Sequence, residues 1–202
     1  MTALLPAGEP DCSRFNAPHE VAEVFLSQSR PLDGEQRDWL RGQGVSDAAV
    51  ASDPNYEGGQ LRAARVAFAG AYFDFAADDD ESAVSAFVVI ARDWRGYTAD
   101  IIAFDDSGRV AQWEGREALL GAQRVLAPRL GDPLRIHRDP IAWLAGGREG
   151  VVALDWRLAA EQLAGVSLLV GNGDVEFGQL VRERLARPAP PIFIENQDEA
   201  AT

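Results

Sequence analysis

The side chains able to do chemistry gather in a few places along the 202-residue chain. Asp155 follows the apolar run Gly150-Val151-Val152-Ala153-Leu154, and Glu195 and Asp198, with Glu199 beside them, follow Pro191-Ile192-Phe193-Ile194. Acids placed just after parallel strands stand where open α/β sheets form their ligand sites, and clustered carboxylates there can hold Mg²⁺ for phosphoryl chemistry. Asp155, Glu195 and Asp198 are therefore the candidate catalytic residues, against the plainer reading that acids cap helices and line solvated loops. A second group, Arg92, Trp94, Arg95 and Tyr97, surrounds a hairpin tip and has the chemistry of a stacking platform for single-stranded bases. The run Asp78, Asp79, Asp80, Glu81 in the same segment opposes that reading, because it repels a phosphate backbone.

Other signatures are missing from the sequence. It has no G-x-S-x-G elbow, Walker loop, H-E-x-x-H or zinc spacing of Cys and His, and its two histidines, His19 and His137, have no sequence-near partner. Gly171-Asn172-Gly173 precedes a helix as a phosphate loop does, but Asp174 and Glu176 occupy the position of the anion. Asp174 is better explained as an N-cap.

The elements that must position these groups follow from periodicity. Residues 1–17 read as a loose tail, and Asn16, Pro18, Val21, Val24 and Phe25 as a capped amphipathic helix. Asp33 and Gln36 have capping-box spacing for a second helix ending near Gly42 or Gly44, and a short third helix starts at Ser46. From about residue 65 short Val-, Ile-, Phe- and Tyr-rich runs predict an antiparallel meander, its clearest hairpin joining 84–92 to 97–105 through Asp93-Trp94-Arg95-Gly96. A helix is expected near 115–126. Beyond it the pattern alternates: LRIH, a helix from Pro140, GVVAL, a helix from about Arg157, VSLLV, a helix over 174–186, and PIFI. Such alternation implies right-handed crossovers and a largely parallel sheet. The expected organisation is one α/β domain over 18–194, helices plus meander to 126 and an α/β part over 127–194, with an acidic tail at 195–202.

Composition narrows the function. An apolar content of 47% is enough for a core, and Cys12 is the single cysteine, so no disulfide framework exists and a reducing, cytoplasmic setting is expected. No signal peptide or membrane span is legible. All 19 basic residues are arginine, which we read as coding bias. The net charge of −13 is uneven: residues 74–106 hold 2 Arg against 9 acids, whereas 107–187 hold 11 against 10. Direct nucleic-acid binding is expected to be weak or absent, and a protein partner with a basic surface fits the acidic segment.

The order of segments resembles that of primase-like proteins with a toprim domain carried by phages and integrated elements. Trp39-Leu40-Arg41-Gly42-Gln43-Gly44-Val45 looks like the "YLRGRGI" segment opening their conserved region. The Asp105-Asp106-Ser107-Gly108-Arg109 turn followed by Glu117-Ala118-Leu119-Leu120-Gly121 is similar to the stretch ahead of their toprim core. GVVALDWRLAAEQLAGVSLLVGNG parallels the first toprim strand, helix and second strand, with Asp155 where the family has a catalytic glutamate. Ile192-Phe193-Ile194-Glu195-Asn196-Gln197-Asp198 is similar to the third strand and its "DxD", although Glu195 and Asp198 are three apart where the motif needs two. The resemblance implies a toprim-like α/β unit whose departures remove metal-dependent catalysis, acting as an accessory of phage or mobile-element DNA replication beside a replication protein. If catalysis persists, it is Mg²⁺-dependent nucleotidyl transfer or nuclease chemistry. The rival is an acidic interaction module that mimics nucleic-acid charge, which requires Asp74, Asp78, Asp79, Asp80, Glu81, Asp105 and Asp106 to gather on one face.

Overall fold

Three helices lie toward the amino-terminal side of the described chain. The computed structural model describes residues 18–51, 60–77, 79–125, 133–170 and 174–186. Helix α1 (Pro18–Gln28) turns Val21 and Phe25 fully inward. Helix α2 (Gly34–Gly42) carries the expected capping box: the Asp33 carboxylate accepts from Gln36 N at 2.9 Å, and the Gln36 side chain accepts from Asp33 N at 3.1 Å. Ser46 caps the short α3 (Asp47–Ala51) by accepting from Ala49 N.

The meander is a closed structure. Its strands are β2 (Arg62–Ala69), β3 (Tyr72–Phe75), β4 (Val84–Arg92), β5 (Thr98–Phe104) and β6 (Val110–Gln112), and the two-residue β1 (Arg30–Pro31) adds to β2. Because β2 pairs with β4 as well as with β3, the order β2-β3-β6-β5-β4 returns on itself as a five-strand barrel. All its ladders are antiparallel except the one that joins β3 to β6, a single parallel pair of Tyr72 with Gln112. The long β4 reads as a nearly continuous apolar run because both of its faces are buried. Ala86, Val88 and Ile90 meet α1 and the residues Val66, Phe73 and Ile101. Phe87, Val89 and Ala91 face the opposite way, toward Leu40 of α2.

The helix expected over 115–126 is absent. A short strand, β7 (Leu119–Leu120), and a single 3-10 turn at Ala122–Arg124 take its place. Gly115 and Gly121 both have positive φ, which helix does not accommodate, and Leu119 and Leu120 are sealed on both sides by the layers above and below.

The remaining strands, β8 (Leu134–His137), β9 (Val151–Ala153) and β10 (Leu168–Val170), make a second sheet in the order β10-β8-β9-β7. The β10–β8 and β8–β9 ladders are parallel and β7 is antiparallel to β9. Helices α4 (Pro140–Ala145), α5 (Trp156–Gln162) and α6 (Val175–Leu185) are capped by Asp139, Asp155 and Asp174. The protein is thus α+β, with an antiparallel-rich barrel beside a smaller, mainly parallel α/β layer. One core cluster joins the two, placing Phe87 and Phe104 of the barrel with Leu120, Leu144 and Val152 of the second layer.

Candidate functional site

The β4–β5 hairpin ends in a tightly built turn. The Asp93 carboxylate accepts from Arg95 N at 2.9 Å and Tyr97 N at 2.8 Å, and the backbone closes through Asp93 N donating to Tyr97 O and Gly96 N to Asp93 O. Arg92 lies inside this turn. It is 8% exposed, and its guanidinium donates to Gly96 O at 3.1 Å and to Thr98 Oγ1 at 3.4 Å, so it braces the loop from beneath instead of forming part of the surface. The residues around it point outward: Trp94 is 53% exposed, Tyr97 64%, and the Arg95 guanidinium lies 4.5 Å from the centre of the Trp94 ring. Two aromatic faces and a cation are held on a stiff support, where solvent would otherwise favour their burial.

Beneath the turn is a set of buried acids with no counterpart among the residues singled out from sequence. Asp100 is fully buried, and its carboxylate accepts from Ile101 N, Glu114 N and Arg116 N at 2.8–3.0 Å. Burial pushes its carboxyl up, against the pull of those three N–H groups. Glu117 is 8% exposed; burial, then the charges of Asp93 and Asp100, push its carboxyl up to about 7. At neutral pH this acid is poised between its two protonation states. The sequence clue was faint: Asp100 interrupts an otherwise apolar strand, and Glu117 sits directly ahead of a buried Ala-Leu-Leu run.

A concavity of about 460 Å³ opens at the carboxyl ends of β8 and β10, where strand order reverses. Arg135, His137, Arg138, Gly146 and Asp174 contribute to its wall. Arg138 grips Asp174 through Nη2 at 2.8 Å and Nε at 3.2 Å, while the same carboxylate caps α6 through Phe177 N. The Phe177 N–H, then Arg138, hold the Asp174 carboxyl below its ordinary value. His137 donates from Nε2 to Glu149 O at 2.7 Å, and burial holds its imidazole below its ordinary value.

Asp155 caps α5, accepting from Arg157 N at 2.8 Å and Leu158 N at 3.0 Å. Its carboxylate is engaged with backbone, and among the described residues no group of three or more His, Cys, Asp or Glu is arranged to hold a metal ion. The described residues therefore do not supply a Mg²⁺ ligand set. Glu195 and Asp198, with PIFI, and the Gly171-Asn172-Gly173 loop lie outside the described residues. Among the described residues no helix is long and apolar enough to cross a membrane.

No family model, curated protein or solved structure matches this chain.

Proposed function

We propose that this protein is a non-catalytic accessory of DNA replication on a phage or mobile element, in which a toprim-like α/β layer supports a barrel that offers its β4–β5 hairpin to single-stranded DNA. The observation that carries this reading is the exposure of Trp94, Arg95 and Tyr97 together on a turn fixed by Asp93 and Arg92. Of the acids that oppose a strand in the linear sequence, Asp79, Asp80 and Glu81 stand elsewhere in three dimensions, and Asp78 lies outside the described residues. Residues 79–83 lead into β4 and the turn over 105–109 leaves β5, so both lie at the barrel end opposite the hairpin tip. Nine residues of β4 separate the two ends, about 25 Å at the rise of an extended strand. That exceeds a Debye length of roughly 8–10 Å at physiological salt, so the acids are screened from the tip. With one exposed guanidinium at the tip, the contact is weak and stacking-driven.

Fluorescence anisotropy of a labelled oligothymidylate at physiological salt tests the reading. Saturable binding should weaken roughly tenfold in Trp94→Ala and again in Tyr97→Ala, in keeping with about 1–3 kcal/mol per stacked base. It should respond only shallowly to salt, since few phosphates are neutralised. Equal affinity in wild type and both variants, or no binding at all, refutes it.

A second reading is favoured by the same topology. Asp79, Glu81 and Asp106 are exposed on loops that share one barrel end, as a charge mimic needs. Asp105 does not join them: it is buried, and although burial pushes its carboxyl up, the hydrogen bonds from Ser107 and Arg109 outweigh that and hold it below its ordinary value. If the acidic end is the working surface, an arginine-rich peptide binds at low salt, and the combined change Asp79→Asn, Glu81→Gln, Asp106→Asn removes that binding while oligothymidylate does not bind.

A further inference from the structure

Among the described residues β10 ends the second sheet, paired with β8 on one side, and there its outer edge presents N–H and C=O groups open to a further strand. Against that edge runs a groove of about 670 Å³ between the strand and α6, walled by Val166, Leu168 and Val170 on one side and by Val175, Val181 and Leu185 on the other. Leu169 and Val175 are 42% and 70% exposed beside it. An open strand edge with an apolar groove fits an extended apolar segment that supplies backbone pairing and side chains together.

We propose that this groove is the docking site of the chain's own run Ile192, Phe193, Ile194, added as a strand parallel to β10. Three observations select this occupant. Helix α6 runs back along the sheet and its end, Leu185 and Ala186, lines the groove, so the chain emerges beside the amino end of β10. Only Arg187, Pro188, Ala189, Pro190 and Pro191 intervene, about 16 Å when extended, which spans the roughly 10 Å from a helix layer to a sheet. The run is three consecutive apolar residues bounded by proline before it and Glu195 after it, and prolines at a strand's start cost no ladder bond. A strand, crossover helix and next parallel strand in the right-handed sense puts the new strand on the free side of β10. Its direction carries Glu195 to the carboxyl end of the sheet, on the side of the cleft lined by Arg138 and Asp174.

Hydrogen exchange on the full chain tests this. The amides of Leu168 and Val170, which face the open edge because Ser167 and hence Leu169 face β8, should be protected in wild type and exchange at least tenfold faster in Phe193→Glu, with protection independent of protein concentration. As a second variant in a Cys12→Ser background, Leu169→Cys combined with either Ile192→Cys or Ile194→Cys should close an intramolecular disulfide on oxidation for one of the two pairs, neighbouring parallel strands lying within disulfide reach. β10 amides that exchange alike in wild type and Phe193→Glu, with neither pair closing, overturn the proposal. Protection that rises with concentration, or a disulfide that forms only between chains, gives the groove to a second copy and overturns it as well.

Discussion

Glu117 has a thermodynamic consequence that its position dictates. Unfolded, its carboxyl titrates near the ordinary glutamate value of 4.5; folded, burial and the charges of Asp93 and Asp100 raise it to about 7. The folded chain therefore holds this proton more tightly than the unfolded chain does. The group's contribution to stability is intact below pH 4.5, falls as the pH rises through that interval and levels off above 7. Its full size is on the order of 3 kcal/mol or slightly more. Urea unfolding of wild type and Glu117→Gln between pH 5 and 8 should show curves that separate with rising pH, the variant being the more stable at pH 8. Parallel curves would mean that the carboxyl is solvated. Such an acid is hard to find in sequence, because a charged residue near a turn reads as solvated unless the three-dimensional path that buries it is known.

At the scale of elements, the second sheet depends on a glycine that backbone approaches too closely for a side chain. Gly150 has φ +90°, and a Cβ there would stand 2.2 Å from the carbonyl oxygen of Arg135, an atom of β8 that cannot yield. Gly150→Ala should cost about 2–4 kcal/mol, read as a lowered thermal midpoint, whereas Gly178→Ala, with nothing near its added Cβ and a helical site, should be neutral or mildly stabilising. The elements legible in sequence were those set by neighbours along the chain. The Asp33 box, the Asp174 cap and the Asp93–Gly96 turn each need only residues within four positions. The barrel was not legible, because its closure pairs Arg62 with Val88 and Tyr72 with Gln112 across long stretches of chain. The helix expected over 115–126 failed for a related reason: Leu119 and Leu120 are apolar on successive positions because β7 is buried on both faces, a pattern that a helix face also produces. Of the candidate site, Trp94, Arg95 and Tyr97 were readable as an exposed tip, while Arg92 was not distinguishable from an exposed arginine until the turn folded over it.

The whole molecule has one shared core cluster, and that sets how it unfolds. Leu120, Trp143, Leu144 and Val152 of the α/β layer are packed with Phe87, Val89 and Phe104 of the barrel. Unfolding followed by tryptophan fluorescence and by far-ultraviolet circular dichroism should therefore give coincident transitions. Leu144→Ala, removing a fully buried side chain from that cluster, should lower both together by about 2–5 kcal/mol. A variant in which one signal melts well before the other would show that the layers are independent.

The one-pair parallel contact between Tyr72 and Gln112 makes the barrel a clasp more than a ring. Gln112 also donates from its side-chain amide to the Glu117 backbone oxygen, the Tyr72 ring leaves no room for a Cβ on Gly115, and Glu114 and Arg116 tie the same stretch to Asp100. The fastener and the buried acid are thus two ends of one short tether. When the clasp slackens, water reaches Glu117 and its proton departs at lower pH; when the proton departs first, charge repulsion strains the tether. The Glu117 proton and the Tyr72–Gln112 closure should therefore respond together to pH, one reported by titration and the other by amide exchange in β3 and β6.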